Sequence, residues 1–237
     1  MRPDHTRFTA LPDDLDRDAS IAHLALVLAH RLRGLVAGIE GFTDLLSDTL
    51  MDEEQRELAM KIMEGTARIE SVLADLQLYG EFIDPVMLPV RVDEVVRDLL
   101  VPLSDEDRGR VRIEMVDDAA RSMMSADPFL LRQLLLILLQ NALEAGRAPA
   151  AVRLAIAARS AAVRFEVWNE GLIETDDAAT AVFAPFYTTK AHNLGVGLSI
   201  AQRIARLHEA RVELVCNDRE EGTCFAFSLS DPGDDLG

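Results

Sequence analysis

Between residues 21 and 47 the apolar positions recur at helical spacing. Leu28, Leu32, Leu35, Ile39, Phe42 and Leu46 step by four, three, four, three and four residues. That alternation averages about 3.5, the period of a seam packed against another helix. With Leu28 and Leu35 at d, Leu32 and Ile39 fall at a, and His30 falls at f, turned away from the seam. Asp52 then reads as an N-cap with Gln55 completing a capping box. The helix it opens runs to about residue 79, with Ile62, Ile69 and Leu76 at sevens and Leu73 between the last two. Two long helices joined by a short loop predict an antiparallel hairpin. One hairpin buries a single stripe on each helix, so pairing of two copies into a four-helix bundle is expected.

The pattern changes after Gly80 and Asp84-Pro85, which mark a boundary. Residues 86–92 read as a strand, 93–100 as a short helix, and 110–116 alternate as a strand. Asp127-Pro128 opens a helix that closes on Gly146. Residues 152–157 and 163–168 predict a hairpin around Arg159-Ser160. Residues 174–193 show little periodicity, as a mobile lid would. A helix over 195–208 and strands over 211–216 and 223–229 complete the pattern. Helices and strands interleave, which predicts a layered α/β or α+β unit beside the hairpin, an α+β chain in all. The domains are then a poorly ordered segment 1–18, a hairpin 19–82, an α/β unit 83–231 and a tail 232–237.

Composition narrows the picture. The 237 residues carry 49% hydrophobic and 27% charged positions, ordinary for a globular protein. The longest apolar run, residues 134–139, is far short of a membrane span of ~20 residues, and the first residues lack the apolar core of a signal peptide. A cytoplasmic protein is expected, with any membrane-spanning sensor on a separate chain. A net charge of −17 argues against nucleic acid and against anionic membranes as partners. Cys216 and Cys224 flank the turn NDREEG, and reduced thiols across a hairpin are expected rather than a disulfide.

Four stretches carry the chemistry: AHRLRG around His30, LLRQLLLILLQNALEAG over 130–146, VWNEG over 167–171, and FAPFYTTKAHNLGVGLSIAQRIA over 183–205. In this order and at these separations they resemble a two-component sensor histidine kinase, corresponding to its H box, N box, first glycine box, and F box running into the second glycine box. The resemblance covers about residues 20–230, and PFYTTK followed by GVGLSI is its most specific part. It implies a dimerising hairpin that carries the phosphoacceptor His30, followed by a Bergerat-type ATP-binding sandwich. It also implies ATP and Mg²⁺ as cofactors and a response-regulator receiver domain as partner.

The resemblance implies a role for each matching residue. Asn141 would ligate Mg²⁺ through a neutral carbonyl oxygen, which suits a hard cation whose charge the phosphates balance. Lys190 would reach phosphate from the lid and stabilise charge during transfer. Asn169, Gly171, Thr188, Thr189, Gly195, Gly197 and Leu198 would complete the nucleotide site, the glycines and the helix that begins there offering backbone amides to phosphate.

Departures from the family pattern refine that reading. Asn169 stands where an Asp usually accepts from the adenine amino group, Ile173 replaces a second Gly, and Asn193 replaces the first Gly of the second glycine box. Ile137, one turn before Asn141, sits where ATP-hydrolysing relatives carry a Glu base, which disfavours a plain ATPase. Gly34 replaces the residue that family phosphatase activity uses. Arg31 follows His30 where the family has Glu or Asp. A guanidinium cannot take the imidazole proton, and loss of a general base commonly costs ~10²–10⁴ in rate. The reading is a histidine kinase that autophosphorylates His30 and passes the phosphoryl group to a receiver Asp. The alternative left open is an ATP-independent phosphotransferase or a dimeric pseudokinase adaptor.

Overall fold

The computed structural model describes residues 12–47, 52–81, 83–116, 119–146, 151–159, 162–174, 181–188 and 195–230. The chain divides into two compact units, residues 1–83 and 84–237.

The first unit is a helical hairpin of α1 (Pro12–Ser47) and α2 (Glu53–Gly80). Helix α1 begins at Pro12, inside the segment 1–18 expected to lack order; proline's missing N–H is no loss at a first helical position. Asp52 caps α2, its carboxylate accepting from the Glu54 N–H at 3.1 Å. Glu53 and Glu54 add negative charge to that first turn, where the helix dipole favours it.

The seam of the hairpin corrects the sequence reading. Ala25, Ala29, Val36 and Thr43 of α1 are buried, as are Ala59, Thr66, Leu73 and Tyr79 of α2. The Thr43 hydroxyl donates to the Ile39 carbonyl and the Thr66 hydroxyl to the Met63 carbonyl, so both polar groups are satisfied within their own helices. Small side chains let the two helices approach closely along this stripe. The large ridge of Leu28, Leu32, Leu35, Ile39, Phe42 and Leu46 therefore stays exposed, Phe42 at 73%. Ile62 and Ile69 of α2 are exposed as well. Near the connecting loop the ridge opens into an apolar groove of about 530 Å³ between Ile39, Phe42 and Leu46 and, across it, Leu58 and Ile62.

The second unit starts with β1 (Leu88–Arg91), α3 (Val92–Arg97), α4 (Asp105–Arg110) and β2 (Val111–Val116). A 3₁₀ turn (Ala119–Arg121), β3 (Met123–Ala126), α5 (Pro128–Ala145), β4 (Val152–Arg159) and β5 (Ala162–Asn169) follow. The last elements are α6 (Gly197–Leu207), β6 (Glu213–Asp218) and β7 (Gly222–Ser230). The main sheet has the order β2-β4-β5-β7-β6, with β2 and β4 parallel and the other pairs antiparallel. Strand β1 pairs instead with β3 in a separate two-stranded ribbon. The sequence reading missed β3 and α4, each too short to show a period. It also began the first strand two residues early.

Helices α5 and α6 supply the apolar layer against one face of the sheet. Strand β5 alternates strictly, with Val163, Phe165, Val167 and Asn169 turned inward. Phe165 stacks on Phe227 of β7 with centroids 4.8 Å apart. His208 joins the two helices: its Nε2 accepts from the Asp127 N–H at 3.0 Å, and Nδ1 lies 2.8 Å from the Ile204 carbonyl. Asp127 in turn caps α5, accepting from the Phe129 and Leu130 N–H groups, and accepts from the Val86 N–H at the start of the unit.

Cys216 and Cys224 are free thiols directly opposite each other in the β6–β7 register. Desolvation, followed by the carboxylates of Asp218 and Glu221, pushes the Cys216 thiol up to about 11, so at neutral pH it is protonated and a poor nucleophile. Among the described residues no helix is long and apolar enough to cross a membrane.

Leu73 is 1% exposed and packs with Ala29 and Val36 at the centre of the hairpin. Replacing it with Ala opens a cavity there, and Leu73→Ala is expected to destabilise the hairpin by about 2–5 kcal/mol. Denaturant unfolding followed by helical circular dichroism reads the effect; an unchanged midpoint would mean that this seam does not hold the helices together.

Candidate functional site

Helix α5 is apolar on nearly every side: ten of its residues are buried, from Leu130 to Leu143. Such a helix cannot rotate without burying Gln140 or Glu144, both exposed, so Asn141 is held half-buried in one direction. One turn earlier, Ile137 is 9% exposed. Its Cγ2 would lie 3.5 Å from a Cβ added to Gly197, which sets the Asn141 face of α5 beside the start of α6.

Two loops close on the same region. At Gly171 a Cβ would lie 2.7 Å from the Ala145 carbonyl and 2.8 Å from Asn169 Nδ2, so only glycine fits between the end of α5 and the end of β5. Gly195 has φ of 70°, and a side chain there would collide with the Tyr187 carbonyl. The segment ending at Thr188 is held to the sheet by buried Val182 and by Phe183, whose ring meets Phe225 edge-on at 6.0 Å. Phe186 takes φ of 64°, a conformation bulky residues rarely adopt.

Helix α6 starts at Gly197 with Val196 at its N-cap and no side-chain cap. Its first backbone amides are thus unclaimed by a capping side chain, and a helix N-terminus of this kind attracts anions. Ser199 does not compete for a ligand, since its hydroxyl donates to the Val196 carbonyl at 2.7 Å. Leu198 is half-buried beside it.

The structure thus gathers Asn141, Asn169, Gly171, Gly195, Gly197 and Leu198 within one unit. Thr188 is exposed at the end of its segment. Thr189, Lys190 and Asn193, with most of the expected lid, lie outside the described residues. His30 and Arg31 belong to the other unit, where both are exposed on α1, with His30 on the side away from the leucine ridge.

Two residues of this site escaped the sequence reading. Asn217 clamps the loop after β5: its Oδ1 accepts from the Ile173 N–H and its Nδ2 donates to the Ile173 carbonyl, each at 3.0 Å. Thr223 donates from its hydroxyl to the Gly171 carbonyl at 2.7 Å, with Asn217 Oδ1 a further 3.0 Å contact. Asn217 looks like an ordinary turn residue in NDREEG, and no spacing marks a bond across 44 positions. Thr223 had a weak signal, because strand alternation places it opposite Asn169.

Residues 126–233 match the family described as histidine kinase-, DNA gyrase B-, and HSP90-like ATPase. The chain is 27% identical over 216 residues to the sensor histidine kinase ZraS of Klebsiella oxytoca, a match covering 89% of this chain and 46% of that protein. The chain spans about half the length of such curated relatives. Among solved structures, full-length ShkA in complex with AMPPNP superposes with a TM-score of 0.72 at 24% identity, over 88% of this chain and 46% of ShkA. The histidine kinase ThkA in complex with the response regulator TrrA gives a TM-score of 0.66 at 23% identity, over 92% of this chain and 64% of ThkA. At these identities the two structures establish the fold.

Removing the Asn217 amide leaves both polar groups of Ile173 without the partners described. Asn217→Ala is expected to cost about 1–3 kcal/mol and to speed amide hydrogen exchange at Ile173. Exchange at that amide no faster than in the unaltered protein would rule out the clamp.

Proposed function

We propose that the chain is a cytoplasmic protein-histidine kinase of a two-component system, a reading supported by its match to the histidine kinase-, DNA gyrase B-, and HSP90-like ATPase family and its similarity to sensor histidine kinases. It takes the terminal phosphoryl group of ATP onto His30 and passes it to an Asp of a response-regulator receiver domain. The observation that carries this reading is the meeting of three elements in the second unit: the Asn141 face of α5, the Gly171 loop, and the α6 N-terminus without a side-chain cap.

The residues present fit a nucleotide. Gly171 leaves clearance where any side chain would collide, and the buried Asn169 amide beside it has an unmatched donor. The α6 amides suit phosphate oxygens, and Asn141 offers a carbonyl oxygen to Mg²⁺, which when bound would neutralise phosphate charge. Lys190 would add a cation from the lid. Ile137 stands one turn before Asn141 where a carboxylate would activate water, so transfer to a side chain is favoured over hydrolysis.

In the transfer a neutral ring nitrogen of His30 forms the P–N bond as the P–O bond to the departing ADP breaks. The proton on the other ring nitrogen must then leave. Arg31 cannot take it, so it passes to the solvent water that reaches the exposed His30. The exposed position of His30 suits onward transfer, because a receiver domain can reach it. A response regulator accompanies ThkA in its complex, which supports a partner of that kind here.

The exposed leucine ridge and its groove support a homodimer, with a second copy covering them to complete a four-helix bundle. One observation favours a second reading: Arg31, with no carboxylate beside His30, suits an ATP-independent phosphotransferase or a pseudokinase adaptor.

With labelled ATP and Mg²⁺, the protein is expected to acquire acid-labile, base-stable label that His30→Ala abolishes. Robust labelling of His30→Ala would count against the reading. Arg31→Glu supplies the missing carboxylate and is expected to raise the labelling rate by about tenfold or more. Phe42→Asp places a charge on the ridge and is expected to shift the protein from dimer to monomer in sedimentation; a monomeric unaltered protein would exclude the bundle.

A further inference from the structure

Asn169 ends β5 on the inward face of the sheet and is only 2% exposed. Among the described residues its Nδ2 is one of two buried side-chain nitrogens without a hydrogen-bond partner, the other being Arg132 Nε. The amide lies beside Gly171, close to the place where a Gly171 side chain would stand. Its backbone cannot move aside easily: β7 pairs Thr223 with Asn169, and a Cβ on Gly222 would strike the Asn169 carbonyl. Thr223 and Asn217 hold the Gly171–Ile173 loop from the other side. A donor left buried and unmatched in such a rigid setting is costly until a ligand supplies an acceptor.

Resting on the nucleotide-site reading above, we infer that Asn169 makes the base subsite tolerant at purine position 6. The site then accepts a 6-oxopurine nucleoside triphosphate as well as a 6-aminopurine one. The reason lies in the two halves of the carboxamide. A carboxylate only accepts hydrogen bonds, so it matches a 6-amino group and repels a 6-oxo group. The amide, turned one way, accepts from a 6-amino group through Oδ1 and donates from Nδ2 to ring N1. Turned by half a rotation, it donates to a 6-oxo oxygen and accepts from N1–H. Either pairing uses both halves and leaves no buried donor over. Selectivity rests on rotation of one side chain, with the strand beneath it fixed.

Inosine triphosphate is the probe, because it differs from ATP at position 6 and N1 while keeping the sugar and phosphates. The full chain is titrated with each nucleotide in the presence of Mg²⁺, by calorimetry. The unaltered protein is expected to bind the two with Kd values within about fivefold, and Asn169→Asp to prefer ATP by about tenfold or more. The ratio is robust to a partly unfolded variant, since unfolded molecules lower the stoichiometry for both nucleotides alike. A preference for ATP beyond about fivefold in the unaltered protein, or an unchanged ratio in Asn169→Asp, overturns the inference and leaves the nucleotide site standing. Binding of neither nucleotide overturns the nucleotide-site reading, and this inference falls with it.

Discussion

The burial of α5 on almost every side constrains everything around it. Each fully buried leucine is worth about 1.5–3 kcal/mol relative to exposure, so rotating the helix by one residue would forfeit several at once. The helix is also pinned at both ends. Asp127 caps its start while its own N–H donates to His208 at the end of α6. At the far end the Ala145 carbonyl leaves room for nothing larger than Gly171. A helix fixed in rotation and along its axis gives Asn141 and Ile137 defined directions, and that is what a site built on one helix face requires.

The hairpin works by the opposite device. Its own seam sets small residues, Ala25, Ala29, Ala59 and the self-satisfied Thr43 and Thr66, around a buried Leu73, and leaves the leucine ridge of α1 outside. Two helices can share only one stripe, and close approach favours the smaller one. The consequence is an exposed leucine ridge on one side and His30 on the other. In the proposed function both are useful: the ridge brings two copies together, and the histidine faces solvent, where a docking receiver can reach it.

Three residues, Arg31 and Asn169 against the family pattern and Ile137 against that of ATP-hydrolysing relatives, each differ in one chemical property. Ile137 exchanges a base for a methyl-bearing side chain packed towards Gly197. Arg31 exchanges a proton acceptor for a fixed positive charge. Asn169 keeps the position and size of a carboxylate side chain but adds a donor that finds no partner within the protein. In the second unit, glycines at 171, 195 and 222 stand where side chains would collide, which fits the proposed nucleotide site.

Local patterns in the chain determined a good deal. Asp127-Pro128 fixed the start of α5, because an N-cap and a first-turn proline act through neighbouring backbone alone. Alternation along 162–169 fixed which side of β5 faces inward, since the strand repeat is two. The order and spacing of His30, Asn141, Gly171 and the 195–197 glycines announced the family. Tertiary structure decided the rest. Periodicity located an apolar ridge on α1 but not its partner, because the choice between adjacent stripes depends on how closely α2 can approach. The strand β3 is four residues long and exists through pairing with β1, which no local period records. Asn217 reaches Ile173 only once β6 and β7 have folded back over the end of β5, and the unmatched amide of Asn169 arises the same way. A sequence states which groups a residue carries, whereas hydrogen-bond partners distant along the chain follow from the packing of the whole unit.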